Sequence, residues 1–205
     1  MVEDLGRVFE RCWHKLCALY KIRMEHDPFF TESDIHHAFA NLLEKENVGN
    51  VHVEYPLPLD PDKHLEQLKR FGQVSFGRGY YRADICILKE IEPRLIAEIR
   101  WEPALFLPIA FLKKRKLLPM QEIKRVEEKL IEERRLNDLA ISDRHMNKLL
   151  RNIEKFLDIL RRYENIQGYF CVLDELCPSV DKQLNDKIKE FDVPTNFRIL
   201  ACYIE

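Results

Sequence analysis

The chain has 205 residues, 46% hydrophobic and 33% charged, which is enough to bury one well-formed core and argues against both a disordered chain and a membrane protein. Its formal net charge of −2 supplies no global field that would draw it onto nucleic acid or anionic lipid, so any such contact has to be local. Six cysteines (Cys12, Cys17, Cys86, Cys171, Cys177, Cys202) include no Cys-x-x-Cys pair; no zinc-ligand spacing results, and several sit in apolar runs where a thiol packs as a small hydrophobe.

No Gly/Ser/Pro-rich linker divides the sequence, so it reads as one domain over 1–205. The longest apolar run, 104–112, is interrupted by Pro108 and falls well short of a spanning helix. The start, MVEDLGRVFERCWHK, lacks the basic-then-apolar layout of a signal peptide, and the expected location is the cytoplasm.

In chain order, Leu5, Val8, Phe9, Cys12, Trp13, Leu16 and Tyr20 recur at three- and four-residue spacing, which predicts an amphipathic helix over 2–24. After the breaker His26-Asp27-Pro28, Thr31 stands three residues before Asp34 as an N-cap, and Ile35, Phe39, Leu42 and Leu43 form the apolar face of a second helix running towards Gly49. Residues 51–57 alternate and are β-branched, hence a first strand. A loop with Lys69, Arg70, Gly72, Gly77 and Arg78 leads to a second strand at 80–88. A third follows at 94–101 after a connection so short that the pair has to be an antiparallel hairpin. Beyond Pro119 the periodicity is helical through Ile123, Val126, Leu130 and Ile131, then from Met146 to Leu160. Strands at 169–174 and 197–204 flank a short helix over 180–191. The expected class is α/β, a central mixed sheet with helices on both faces.

Asp84 and Glu98 lie inside apolar strands, among Ile85, Ile87, Leu95, Ile96 and Ile99. A carboxylate there is costly unless paired or bound to a cation. In a hairpin, Asp84 near the start of one strand and Glu98 near the end of the other lie side by side, and Glu98 and Arg100 project to one face. Two converging carboxylates repel, which a divalent cation relieves; oxygen ligands suit Mg²⁺ or Mn²⁺. Such an ion activates water and neutralises charge on a phosphodiester.

The helix with Glu32, the strand with Glu54, Arg82-Ala83-Asp84-Ile85 and Ala97-Glu98-Ile99-Arg100 together resemble the restriction-endonuclease-like, or PD-(D/E)XK, nucleases over about 31–174. The resemblance implies a metal-dependent nuclease acting on DNA with Mg²⁺ or Mn²⁺. Asp84 and Glu98 would be ligands, with Glu54 as a further ligand, Glu32 assisting, and Arg100 at the catalytic position. Two departures stand out: Ala83 replaces the motif's proline, and Arg100 replaces its lysine. Arginine stays protonated, so Arg100 cannot be a general base, but its planar fork can hold a phosphate oxygen.

The loop residues Lys69, Arg70, Arg78 and Arg82 and the run Lys113-Lys114-Arg115-Lys116 are the expected backbone-contacting cations. Each feature also has a structural reading. The basic run can be a solvated helix face, Glu98 with Arg100 a structural ion pair, Glu32 a first-turn acid favoured by the helix dipole, and His36 and His37 partly buried surface groups. Segment 103–119 covers a sheet edge or docks a partner, including a second copy in a homodimer. A nuclease-fold binding or scaffolding subunit without catalysis is the alternative function.

Overall fold

The computed structural model describes residues 4–63, 66, 79–105, 108–139, 143–163 and 165–204. It is an α/β arrangement around a five-stranded mixed sheet. In chain order the elements are α1 (Leu5–Arg23), α2 (Glu32–Glu44), β1 (Asn50–Pro58), β2 (Tyr80–Lys89), β3 (Glu92–Glu102), α3 (Ile109–Arg115), α4 (Met120–Leu139), α5 (Asp143–Leu160), β4 (Gln167–Asp174), α6 (Val180–Ile188) and β5 (Phe197–Tyr203). The strand order is β1-β2-β3-β4-β5; the first two pairings are antiparallel and the last two parallel. The β2–β3 hairpin expected from the short connection is present.

Helices cover both faces. Phe9, Trp13 and Leu16 of α1 and Ile35, Phe39 and Leu43 of α2 pack on Ile85, Leu95, Ala97, Ile99, Cys171 and Leu173. On the other face Leu149, Ile153, Phe156 and Leu160 of α5 and Leu184 of α6 pack on Cys86, Ile96, Phe170 and Val172. Each fully buried side chain of this kind contributes roughly 1.5–3 kcal/mol by leaving water. Five of the cysteines are buried and all six are free, as their apolar surroundings suggested.

Thr31 caps α2 as its spacing predicted. Its Oγ1 accepts from Asp34 N at 3.2 Å while Asp34 Oδ2 accepts from Thr31 N at 2.9 Å, a reciprocal capping box that fixes where α2 begins. The helix ends at Glu44, short of Gly49. That glycine has φ +131, and a Cβ there would stand 2.6 Å from the Leu88 carbonyl, so it serves the entry to β1 rather than the helix end.

Segment 103–119 contains the short helix α3, and its bonds run to Glu175 (from Ala104 N), Glu127 (from Lys113) and His26 (from Lys114). These bonds reach the turn after β4, helix α4 and the turn after α1. The helix expected beyond Pro119 is present as α4, in which Ile123 and Leu130 are buried and Ile131 is 65% exposed. Helix α4 packs through one narrow stripe, and Ile131 falls outside it.

One irregularity decides the rest. Along a regular strand, alternate residues share a face. On β1, Val51 and Val53 belong to the α1–α2 face, but Tyr55 and Leu57 to the α5 face; on β2, Ile87 and Ile85 belong to the α1–α2 face, but Ala83 and Tyr81 to the α5 face. Both strands change phase at the same level, at Glu54 and at Asp84, and the ladder skips that pair: Val53 faces Ile85 and Tyr55 faces Ala83. Glu54 takes φ +54 there, a left-handed conformation uncommon for a residue other than glycine. Pairing of β2 with β3 stops at the same level, its last pair being Ile85 with Ala97. Strand β3 meanwhile continues beside β4 as far as Glu102, and β1–β2 continues to Pro58 and Tyr80. The sheet divides from Asp84 onward.

Candidate functional site

Once β2 leaves, the β3 edge residues beyond Ala97 lose their ladder partners, and a backbone N–H left unpaired there is costly. Carboxylates replace the missing strand. Asp84 Oδ2 accepts from Ile99 N at 2.8 Å, and Glu32 Oε1, from the first residue of α2, accepts from Trp101 N at 3.3 Å. The acids singled out in the sequence are thus drawn to the divergence by the backbone donors that it exposes.

Glu98 is one register step beyond the Ile85–Ala97 pair and so stands level with Asp84. It is buried, as is Asp84, with 6% and 7% exposure. Tyr81 Oη and Arg100 Nη2 both donate to Glu98; Tyr81 reaches it because the phase change turns that residue to the α5 face. Arg100 Nη1 also lies 3.7 Å from Glu32 Oε1. A single guanidinium therefore ties the end of α2 to β3. Glu54 pairs with Arg82 at 3.7 Å on the surface, close enough to Asp84 to act on its charge.

Burial raises the pKa of Asp84 above the usual carboxylate value; the Ile99 N–H bond, then Arg100 and Arg82, oppose the shift, and Glu54 adds to it. Burial likewise pushes the Tyr81 phenol up. His36 lies one helical turn after Glu32 on the same face of α2 and is 4% exposed. Its Nε2 is 3.8 Å from Asp84 Oδ2, and neither ring nitrogen has a hydrogen-bond partner among the described residues. Burial lowers its pKa below the usual imidazole value.

Of the sequence-predicted residues, Asp84, Glu98, Arg100 and Glu32 come together, with Glu54 and Arg82 at the margin. Lys113, Lys114 and Arg115 form the last turn of α3 and Lys116 its left-handed C-cap, where cations complement the helix dipole. Lys113 pairs with Glu127 and Lys114 contacts His26, so this run sits against α4 and the turn after α1. Lys69, Arg70 and Arg78 lie outside the described residues. Two site residues were not singled out by sequence reasoning. Tyr81 carried no signal, and His36 was weighed only as one of two helix histidines; the i, i+4 spacing from Glu32 was the clue to it.

The donor set suits a hard divalent ion with few protein ligands. Asp84 uses one oxygen on Ile99, and a carboxylate has about four lone-pair sites, so Glu98 retains acceptor capacity beside Tyr81 and Arg100. Among the described residues no three His, Cys, Asp or Glu side chains converge on one point. Ions such as Mg²⁺ are commonly held by one or two carboxylates and keep several waters, so the pair fits.

No protein-family model matches the sequence, and neither a curated protein nor a solved structure is significantly similar to it. Among the described residues no helix is long and apolar enough to cross a membrane.

Proposed function

We propose that the chain is a metal-dependent nuclease with a restriction-endonuclease-like core, hydrolysing phosphodiester bonds in DNA. The observation that carries this reading is the sheet divergence. It leaves two buried carboxylates, Asp84 and Glu98, level with each other at the mouth of a split, with Arg100 beside them.

In this reading Asp84 and Glu98 hold Mg²⁺ or Mn²⁺, and Glu54 stands at the margin of the site, paired with Arg82. The bound ion would supply an activated water and neutralise charge on the phosphate. The Ile99 N–H fixes the rotamer of Asp84, and Tyr81 fixes that of Glu98. Arg100, always charged, holds a phosphate oxygen and stabilises charge developing on it. Glu32 anchors Arg100. Arg82, 62% exposed along its side chain, and the Lys113–Lys116 run supply phosphate contacts along the duplex.

A second reading is favoured by one observation: Arg100 already bridges Glu98 and Glu32. The chain then carries its own cation, and the fold serves as a nucleic-acid-binding or protein-interaction subunit. The test is cleavage of plasmid, linear, single-stranded and branched DNA with Mg²⁺ or Mn²⁺, comparing wild type with Asp84→Asn. Metal-dependent cleavage lost in the variant supports the nuclease. A folded wild type that binds DNA, cleaves no substrate and takes up no Mn²⁺ supports the binding subunit.

A further inference from the structure

The acids at the β2–β3 divergence all have donors: Asp84 has Ile99 N, Glu98 has Tyr81 and Arg100, and Glu32 has Trp101 N. Arg100 Nε has no hydrogen-bond partner among the described residues, and neither has His36. The histidine is 96% buried by its 4% exposure, both ring nitrogens lack a hydrogen-bond partner among the described residues, and Nε2 points at Asp84 Oδ2 from 3.8 Å. Buried polar side chains are nearly always satisfied, so an orphan of this kind calls for a missing partner.

We infer that His36 is a nitrogen ligand to the same cation as Asp84, and that the site consequently selects Mn²⁺ or a related transition ion over Mg²⁺. This rests on the metal reading above and adds to it a ligand and a metal class. The separation is too long for a hydrogen bond. It suits two donors sharing one ion, since metal–nitrogen and metal–oxygen bonds of about 2.0–2.2 Å together span slightly more than the observed gap. Only neutral imidazole ligates, and a ring 4% exposed is one whose charged form burial disfavours.

Position supports the assignment. The capping box fixes the first turn of α2, and His36 follows Glu32 by one turn, so Glu32 and His36 face the divergence together. His37, the neighbour in sequence, points outward and bonds the Ser33 carbonyl at 2.7 Å. An imidazole nitrogen suits first-row transition ions, whereas Mg²⁺ prefers oxygen and water.

The test uses the full chain with Mn²⁺ added at one equivalent. Electron spin echo modulation reads nitrogen bonded to the ion directly. The expected result is a ¹⁴N modulation in the wild type, abolished in both His36→Gln and Asp84→Asn. Titration calorimetry should show Mn²⁺ affinity weakened at least about tenfold by His36→Gln, the loss already expected for a residue that merely supports a ligand, while Mg²⁺ affinity stays within about twofold. Mn²⁺ bound in an Asp84-dependent way, without ¹⁴N modulation and indifferent to His36→Gln, overturns the inference and leaves the metal reading standing; a buried water would then bridge His36 and Asp84. Absence of any Mn²⁺ binding by the wild type overturns both. If His36→Gln does not fold, the wild-type spectrum alone decides.

Discussion

Asp84 Oδ2 accepts the backbone N–H of Ile99 at 2.8 Å across the gap where β2 has parted from β3. That oxygen completes the sheet while the carboxylate carries the charge a cation would need, so substitution separates its structural and chemical roles. Asp84→Asn retains an acceptor for Ile99 and removes a buried charge; its unfolding free energy at neutral pH should stay within about 1 kcal/mol of wild type or exceed it. Asp84→Ala leaves a buried N–H without its acceptor and should cost about 1–3 kcal/mol. Urea unfolding distinguishes the two, and both should lose Mn²⁺ binding. Because the folded pKa of Asp84 is raised, the native state binds the proton more tightly. The wild type should therefore be most stable relative to Asp84→Asn below the ordinary carboxylate range, an advantage lost as pH rises through the raised value.

Glu54 holds a left-handed φ of +54 in mid-strand, a conformation that costs a non-glycine residue roughly 1–3 kcal/mol. Its ion pair with Arg82 is exposed on both sides and contributes little. Glu54→Gly should therefore be neutral or stabilise by about 1 kcal/mol after the extra chain entropy of glycine is deducted. Thermal unfolding would rise or hold while Mn²⁺ affinity falls. A clear loss of stability would mean that the Glu54 side chain supports the phase change of β1.

At the start of β4 a Cβ on Gly168 would come within 2.2 Å of Leu160 Cδ1 and 2.8 Å of its Cγ. Leu160 is 1% exposed at the end of α5 and has nowhere to go. Gly168→Ala should destabilise by about 1–3 kcal/mol through overpacking. Adding Leu160→Val should recover part of that loss, and a double-mutant cycle by denaturant unfolding measures the coupling.

His145 Nε2 lies 2.6 Å from Asp174 Oδ2, and Asp174, fully buried, also accepts from Leu176 N and Cys177 N. The hydrogen bond to Asp174 raises the His145 pKa above its usual 6.5, against the effect of burial. A raised folded pKa means that this contribution to stability is complete below pH 6.5 and is lost as pH rises through the folded value. Wild type minus His145→Gln stability should therefore shrink between pH 6 and pH 9, and the His145 ring protons should titrate above pH 6.5 by NMR. A difference independent of pH would show that the contact is made by the neutral ring alone.

Several of these relationships were legible in the residues alone. The α1 stripe, the Thr31 cap and the β2–β3 hairpin followed from spacing, because helix periodicity, N-cap chemistry and a short connection are local properties. Asp84 and Glu98 drew notice because charge in an apolar strand needs a partner, and the hairpin register puts them at one level. Arg100 reached Glu98 because residues two apart on a strand share a face.

Long-range packing set the phase of the strands and the partners of the acids. In the stretch Ala83-Asp84-Ile85-Cys86-Ile87-Leu88 both faces of β2 are apolar, so the sequence contains no alternation in which a one-residue shift could be seen. The left-handed Glu54 has no glycine or asparagine to announce it. The burial of His36 depends on how α2 lies over the divergence, which is set by contacts between Phe39, Leu43, Ile85 and Ile99 far apart in the chain. Local chemistry determined which residues were costly to bury; long-range packing determined which backbone donors and side chains would meet them.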